Sequence, residues 1–128
     1  MNKEKKYLGV DWGTRRIGLS LAQESAKVAT PWKTVNSKEE LFNIIKQEEI
    51  DVLVLGVPYK MFGREAEVQR EFQDFFQELK NNTDIEIKTV DERLSSKNAD
   101  SLEGNKKNKA SRDASSAMLI LQQYLDSI

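Results

Sequence analysis

Three acidic positions stand where a carboxylate could do chemistry. Asp11 follows the apolar run Tyr7–Val10 and is continued by Trp-Gly-Thr-Arg-Arg-Ile-Gly18. An acid at the point where a buried strand opens to solvent lies where α/β folds commonly build active sites. Two small residues in that continuation let backbone approach a ligand, and Arg15 and Arg16 stand beside the acid. The plainer alternative is a turn-forming aspartate. Asp91-Glu92-Arg93 repeats the arrangement after Ile85–Val90. There the alternative is a helix start, where acids favour the dipole and the first-turn N–H groups. That strand pattern is too short and mixed to say whether Asp91 or Glu92 faces the site. Asp113 lies one turn before Ala117, with Ile120 and Tyr124 further along the same face. An acid continuing an apolar stripe points toward the sheet, unless it serves as a cap near Ser111.

Brought together, such acids would repel unless a cation lay between them. The chain has no histidine and no cysteine, which removes His-based triads, thiolate chemistry and the common zinc sites. Hard oxygen ligands suit Mg²⁺ or Mn²⁺ instead. Two such ions, roughly 4 Å apart, would activate a water and stabilise the leaving oxygen of a phosphodiester. Basic residues are placed to meet phosphates. Lys106, Lys107, Lys109 and Arg112 occupy an acid-free stretch from Gly104, and Arg15, Arg16 and Arg93 adjoin the acids. Contacts of this kind position a backbone without reading sequence. A solvated lysine loop is the competing reading. Tyr59-Lys-Met-Phe62, between Pro58 and Gly63, could stack bases or tuck Phe62 into the core.

The elements that must position these groups can be read from periodicity. Tyr7–Val10, Ile17–Ala22 and Lys27–Thr34 read as strands joined by short turns, an antiparallel meander. Ser37-Lys-Glu-Glu40 fits a capping box, with Leu41, Ile44 and Ile45 following at helical spacing. Val52–Val57, closed by Pro58, is apolar without alternation, as a central strand covered on both faces should be. Val68, Phe72, Phe75, Phe76 and Leu79 mark a second helix ending near Asn81-Asn82. Ile85–Val90 reads as a fifth strand, and a last helix runs from about Ser111 through Leu125. Ser101–Ser111 reads as a loop. The expected fold is α/β: a five-stranded mixed sheet, three meander strands then two parallel crossover strands, with helices on both faces.

Bulk properties agree. The 128 residues fit one domain spanning 1–128, and 38% hydrophobic with 32% charged residues is an ordinary soluble composition. No apolar run approaches a membrane span, no signal segment follows the charged start, and lack of cysteine suits a reducing cytoplasm. The formal net charge of −1 argues against a protein that coats nucleic acid by charge alone. Any phosphate contact must come from local patches.

In order along the chain, several motifs resemble the YqgF (RuvX-like) family. They are Leu8-Gly-Val-Asp-Trp-Gly-Thr-Arg-Arg-Ile-Gly18, Ala29-Thr-Pro31, Leu55-Gly-Val-Pro58 with Gly63, Val90-Asp-Glu-Arg-Leu-Ser-Ser96 with Ala99, and Asp113 to Leu125. The family is described as Holliday-junction-resolvase-like and as nucleases maturing the 5′ end of pre-16S ribosomal RNA. The resemblance implies a ribonuclease-H-like fold and a metal-dependent endonuclease of bacterial cytoplasm, with Asp11, Glu92 and Asp113 as catalytic metal ligands. Gln23-Glu24, Ser95-Ser96 and Arg112 depart from the family pattern and bear on substrate preference. The implied partner is nucleic acid, either precursor rRNA or branched DNA, bound by a monomer or weak homodimer. One competing class is a phosphate-binding fragment of the actin and sugar-kinase type, which needs two such domains around ATP. Another is a non-catalytic RNA- or ribosome-associated module, which metal-dependent cleavage would separate from the enzyme.

Overall fold

The computed structural model describes residues 4–57, 65–91 and 109–128; for residues 65–69, 91 and 109–112 it describes the backbone alone. The elements run β1 (Lys6–Asp11), β2 (Ile17–Gln23), β3 (Thr30–Val35), α1 (Lys38–Gln47), β4 (Val52–Val57), α2 (Glu65–Asn82), β5 (Glu86–Asp91) and α3 (Lys109–Asp126). They form one five-stranded sheet in the order β3-β2-β1-β4-β5. The first three strands pair antiparallel, and β4 and β5 run parallel to β1. This is the expected ribonuclease-H-like arrangement.

Two cores cover the two faces. Leu8, Val10, Leu19, Leu53 and Leu55 pack with the α1 residues Leu41, Ile44 and Ile45 and the α2 residues Phe72, Phe75 and Leu79. On the other face Tyr7, Ala22, Val52 and Val54 pack with Ile120, Leu121 and Leu125 of α3. Strand β4 sends residues to both, which is why its sequence shows no polar alternation. Each fully buried Leu or Ile is worth about 1.5–3 kcal/mol, so these clusters supply most of the stabilisation.

Local chemistry explains most boundaries. The Ser37 hydroxyl accepts from the Glu40 N–H at 3.2 Å, capping α1. The Glu40 carboxylate reaches back to the Asn36 N–H at 2.8 Å, one residue before the position a strict capping box would use. Strand β3 starts at Thr30 instead of Lys27. Lys27 takes a left-handed backbone (φ 53°), its N–H donates to the Gln23 carbonyl at 3.1 Å, and the chain turns there. The Gln122 side chain on α3 holds that turn, accepting from the Ala29 N–H and donating to the Lys27 carbonyl. Helix α3 begins at Lys109, two residues before the expected Ser111, because Lys, Ala and Arg favour helix over loop. Lys109 is therefore helical, a correction to its expected place in a loop.

Small residues let α3 lie directly on the sheet. A Cβ on Gly9 would stand 2.7 Å from the Leu121 Cβ and 2.8 Å from the Ala117 carbonyl oxygen. A Cβ on Gly18 would stand 3.0 Å from the Asp113 Cβ and closer still to the Asp113 carbonyl. Between them the buried Ser20 hydroxyl donates to the Ala117 carbonyl at 2.8 Å. Gly18→Ala should therefore push the start of α3 off β2 and destabilise by about 1–3 kcal/mol, as overpacking does. Thermal denaturation tests this, and an unchanged melting temperature would show that the helix does not press on Gly18.

Candidate active site

Because β1, β4 and β5 are parallel, their carboxyl ends open on one edge of the sheet, at Asp11, Val57 and Asp91. Asp11 ends β1 directly opposite Gly18 of β2. Strand residues two apart share a face, so Asp11 lies on the face where Gly9 meets α3. Gly18 meets Asp113 on that same face. Opposed positions of an antiparallel pair have side-chain origins about 4.5–5.5 Å apart. Asp11 and Asp113, far apart in sequence, are thus neighbours at one sheet edge.

Asp113 has a cationic partner. The Arg16 Nε–H donates to the Asp113 Oδ2 at 2.8 Å, with the two side chains 32% and 27% exposed. A pair this exposed contributes no more than about 1 kcal/mol, so it orients the carboxylate without holding the helix. Trp12, next to Asp11, is fixed on the opposite face. It stacks on Phe75 with centroids 6.0 Å apart and meets Phe72 edge-on at 5.6 Å. These contacts anchor the end of β1 to α2.

Arg15 takes the other direction from Arg16. It is exposed and lines a groove of about 430 Å³ between the β1–β2 turn, the start of α1 and helix α2. Neither Asp11 nor Asp113 lines that groove. Its walls include Glu39, Glu71, Asp74 and Glu78 against Arg15 and Lys38. Lys38 is bound to Glu78 at 2.8 Å, and the Glu78 hydrogen bond, aided by the charges of Glu78, Glu39 and Asp74, holds its ammonium above the usual range. A groove with this balance repels phosphate, so Arg15 can serve nucleic acid only from its rim.

The remaining expected residues divide in two. Glu92, Arg93, Lys106, Lys107 and the Tyr59–Phe62 segment lie outside the described residues, as does most of the Ser101–Ser111 loop. Lys109 and Arg112 lie on the first turn of α3, within one turn of Asp113. Among the described residues no three acids form a metal-binding group. Asp11 and Asp113 supply two carboxylates, and the donor set contains only oxygen, which suits a hard divalent cation. Sequence reasoning gave Ser20 no role and Gly18 none in seating α3, although both bring Asp113 into place. The signal was the period-two series Gly18, Ser20, Ala22, small residues along one strand face.

Known proteins share this family and this fold. The family model described as RuvX, Holliday junction resolvase, matches residues 5–127. A protein of Sulfurihydrogenibium sp. named "Putative pre-16S rRNA nuclease" is 38% identical over 94% of this chain and 90% of its own length. A protein of the same name from Endomicrobium trichonymphae is 32% identical over 94% and 95%. Among solved structures, Thermus thermophilus RuvC in complex with a Holliday junction substrate superposes with a TM-score of 0.61. The two are 12% identical over 96% of this chain and 94% of that one. Fowlpox virus resolvase, solved with junction DNA, superposes with a TM-score of 0.57 at 10% identity over 95% and 97%. The chain belongs to the RuvX family.

Proposed function

We propose that this protein is a divalent-metal-dependent endonuclease of the cytoplasm that hydrolyses phosphodiester bonds in structured nucleic acid, processing the 5′ end of pre-16S rRNA. The observation that carries the proposal is the convergence of Asp11 and Asp113 across Gly18 at the carboxyl edge of the parallel strands. The names of the curated relatives support the substrate. Among the described residues, no helix is long and apolar enough to cross a membrane.

Asp11, Glu92 and Asp113 are the proposed ligands of Mg²⁺ or Mn²⁺. Strand alternation favours Glu92 over Asp91 as the third. Val90 packs in the α3-side core and Ile87 in the other, so even positions of β5 belong to the α3 face. The next even position in the sequence is Glu92, which is why Glu92 and not Asp91 is proposed as the third ligand. When bound, the metal supplies Lewis acidity and an activated water for attack on phosphorus. The carboxylates fix where that charge sits, and Trp12, locked on Phe72 and Phe75, keeps the end of β1 from shifting. Lys106, Lys107, Lys109 and Arg112 would hold the phosphate backbone beside Asp113, with Arg16 and Arg93 near Asp11 and Glu92 and Arg15 reaching phosphate only from the groove rim. The family description favours a second reading, resolution of branched DNA, for which two copies of this otherwise monomeric or weakly dimeric chain would act together.

Two experiments test the proposal. Asp11→Asn should leave the metal-free melting temperature unchanged or raised, because one of two neighbouring negative charges is removed. Mn²⁺-dependent cleavage of precursor rRNA should fall by about 100-fold or more, since even outer-shell changes at metal sites cost 10–100-fold. Full cleavage by the variant ends the assignment, and wild type that binds but never cleaves rRNA, duplex or junction indicates a non-catalytic module. Replacing Lys106, Lys107 and Lys109 by alanine should reduce the salt slope of nucleic-acid binding by about two, near 0.7 per phosphate contact for single strands. An unchanged slope makes the stretch ordinary solvated surface.

A further inference from the structure

The two adjacent arginines have different surroundings and therefore different work. Arg15 is exposed on the rim of the acidic groove, on the α1/α2 side. Arg16 is partly buried and bonded through Nε to Asp113, on the α3 side. The ion pair is not what docks α3. Ala117, Ile120 and Leu121 are wholly buried, Leu125 nearly so, and Ser20 ties the Ala117 carbonyl to β2. What the pair does is electrostatic. It sets a positive charge on a carboxylate that neighbours a second carboxylate, Asp11, where two like charges would repel.

A guanidinium cannot give up its proton, so its charge persists when another cation arrives. It can leave only by swinging away, and a long side chain that is 32% exposed has solvent to swing into. We infer that Arg16 is a built-in counter-cation: a positioning residue that holds Asp113 while no divalent ion is bound, yields the carboxylate when one binds, and is then free to meet a substrate phosphate. This inference rests on Asp11 and Asp113 being metal ligands, as proposed above. Its consequence runs against the usual expectation for a residue beside a metal site. Removing Arg16 removes a competitor, so metal binding tightens instead of weakening.

Mn²⁺ titration by calorimetry, on wild type, Arg16→Gln and Asp113→Asn, tests this together with melting curves. Arg16→Gln should bind Mn²⁺ about two- to five-fold more tightly, the range that partly exposed ion pairs span. Equal or weaker affinity in Arg16→Gln, while Asp113→Asn loses binding, overturns the inference and leaves the ligand set standing. Mn²⁺ binding that survives Asp113→Asn overturns the ligand set and the inference with it. If Arg16→Gln does not fold, the Arg16 Nε–H resonance of the wild type is followed through a Mg²⁺ titration. Loss of its protection from solvent exchange supports displacement, and a protected signal at saturation overturns it.

Discussion

Helix α3 brings Asp113 to Asp11 only because the face of β1 and β2 carries almost no side-chain bulk at Gly9, Gly18 and Ser20, where the helix comes closest. Gly9 and Gly18 leave the room, and Ser20 turns the closest approach into a hydrogen bond with the Ala117 carbonyl. A methyl group at either glycine would stand inside contact distance of the helix backbone. Everything proposed about the site follows from that approach. The acid of the last helix reaches the acid of the first strand, although nearly the whole chain separates them. The site therefore needs the assembled sheet, and cannot form in a fragment that lacks α3.

Charge is distributed in keeping with that geometry. A net charge of −1 gives no general attraction for nucleic acid, so the sign of each patch decides where a phosphate can lie. The groove on the α1/α2 side is dominated by glutamate and aspartate, and its Lys38 is committed to Glu78. On the α3 side Arg16 is bonded to Asp113 instead, and Lys109 and Arg112 stand on the first turn of the same helix. Adjacent residues Arg15 and Arg16 fall on either side of this division. The lack of histidine and cysteine is consistent with it, since oxygen ligands and basic side chains are all that this edge requires.

The five strands and their directions were legible because short apolar runs mark them and helical periods separate the last two. Val52–Val57 shows this best: no alternation in sequence, and residues on both cores in the structure. That Asp113 faces the sheet was legible too, since helical spacing set it on the stripe of Ala117 and Ile120 and it lies against Gly18. Other features depend on partners distant in sequence. Nothing local distinguishes Arg16 from Arg15, and only the packing of α3 gives Arg16 its carboxylate. Lys27 looks like part of a strand until Gln122 is seen pinning the turn around it. The choice between Asp91 and Glu92 could not be made from an isolated strand. It became arguable once Ile87 and Val90 were assigned to opposite cores.

The central claim is that Asp11 and Asp113 hold a divalent cation between them. Anomalous diffraction from a crystal soaked in Mn²⁺ tests it most directly. The account predicts a manganese peak within ligand distance of both carboxylates, on the α3 face of the sheet edge, with Glu92 completing the set. A well-ordered site with no manganese there, or manganese bound only in the acidic groove lined by Glu71, Asp74 and Glu78, would contradict it.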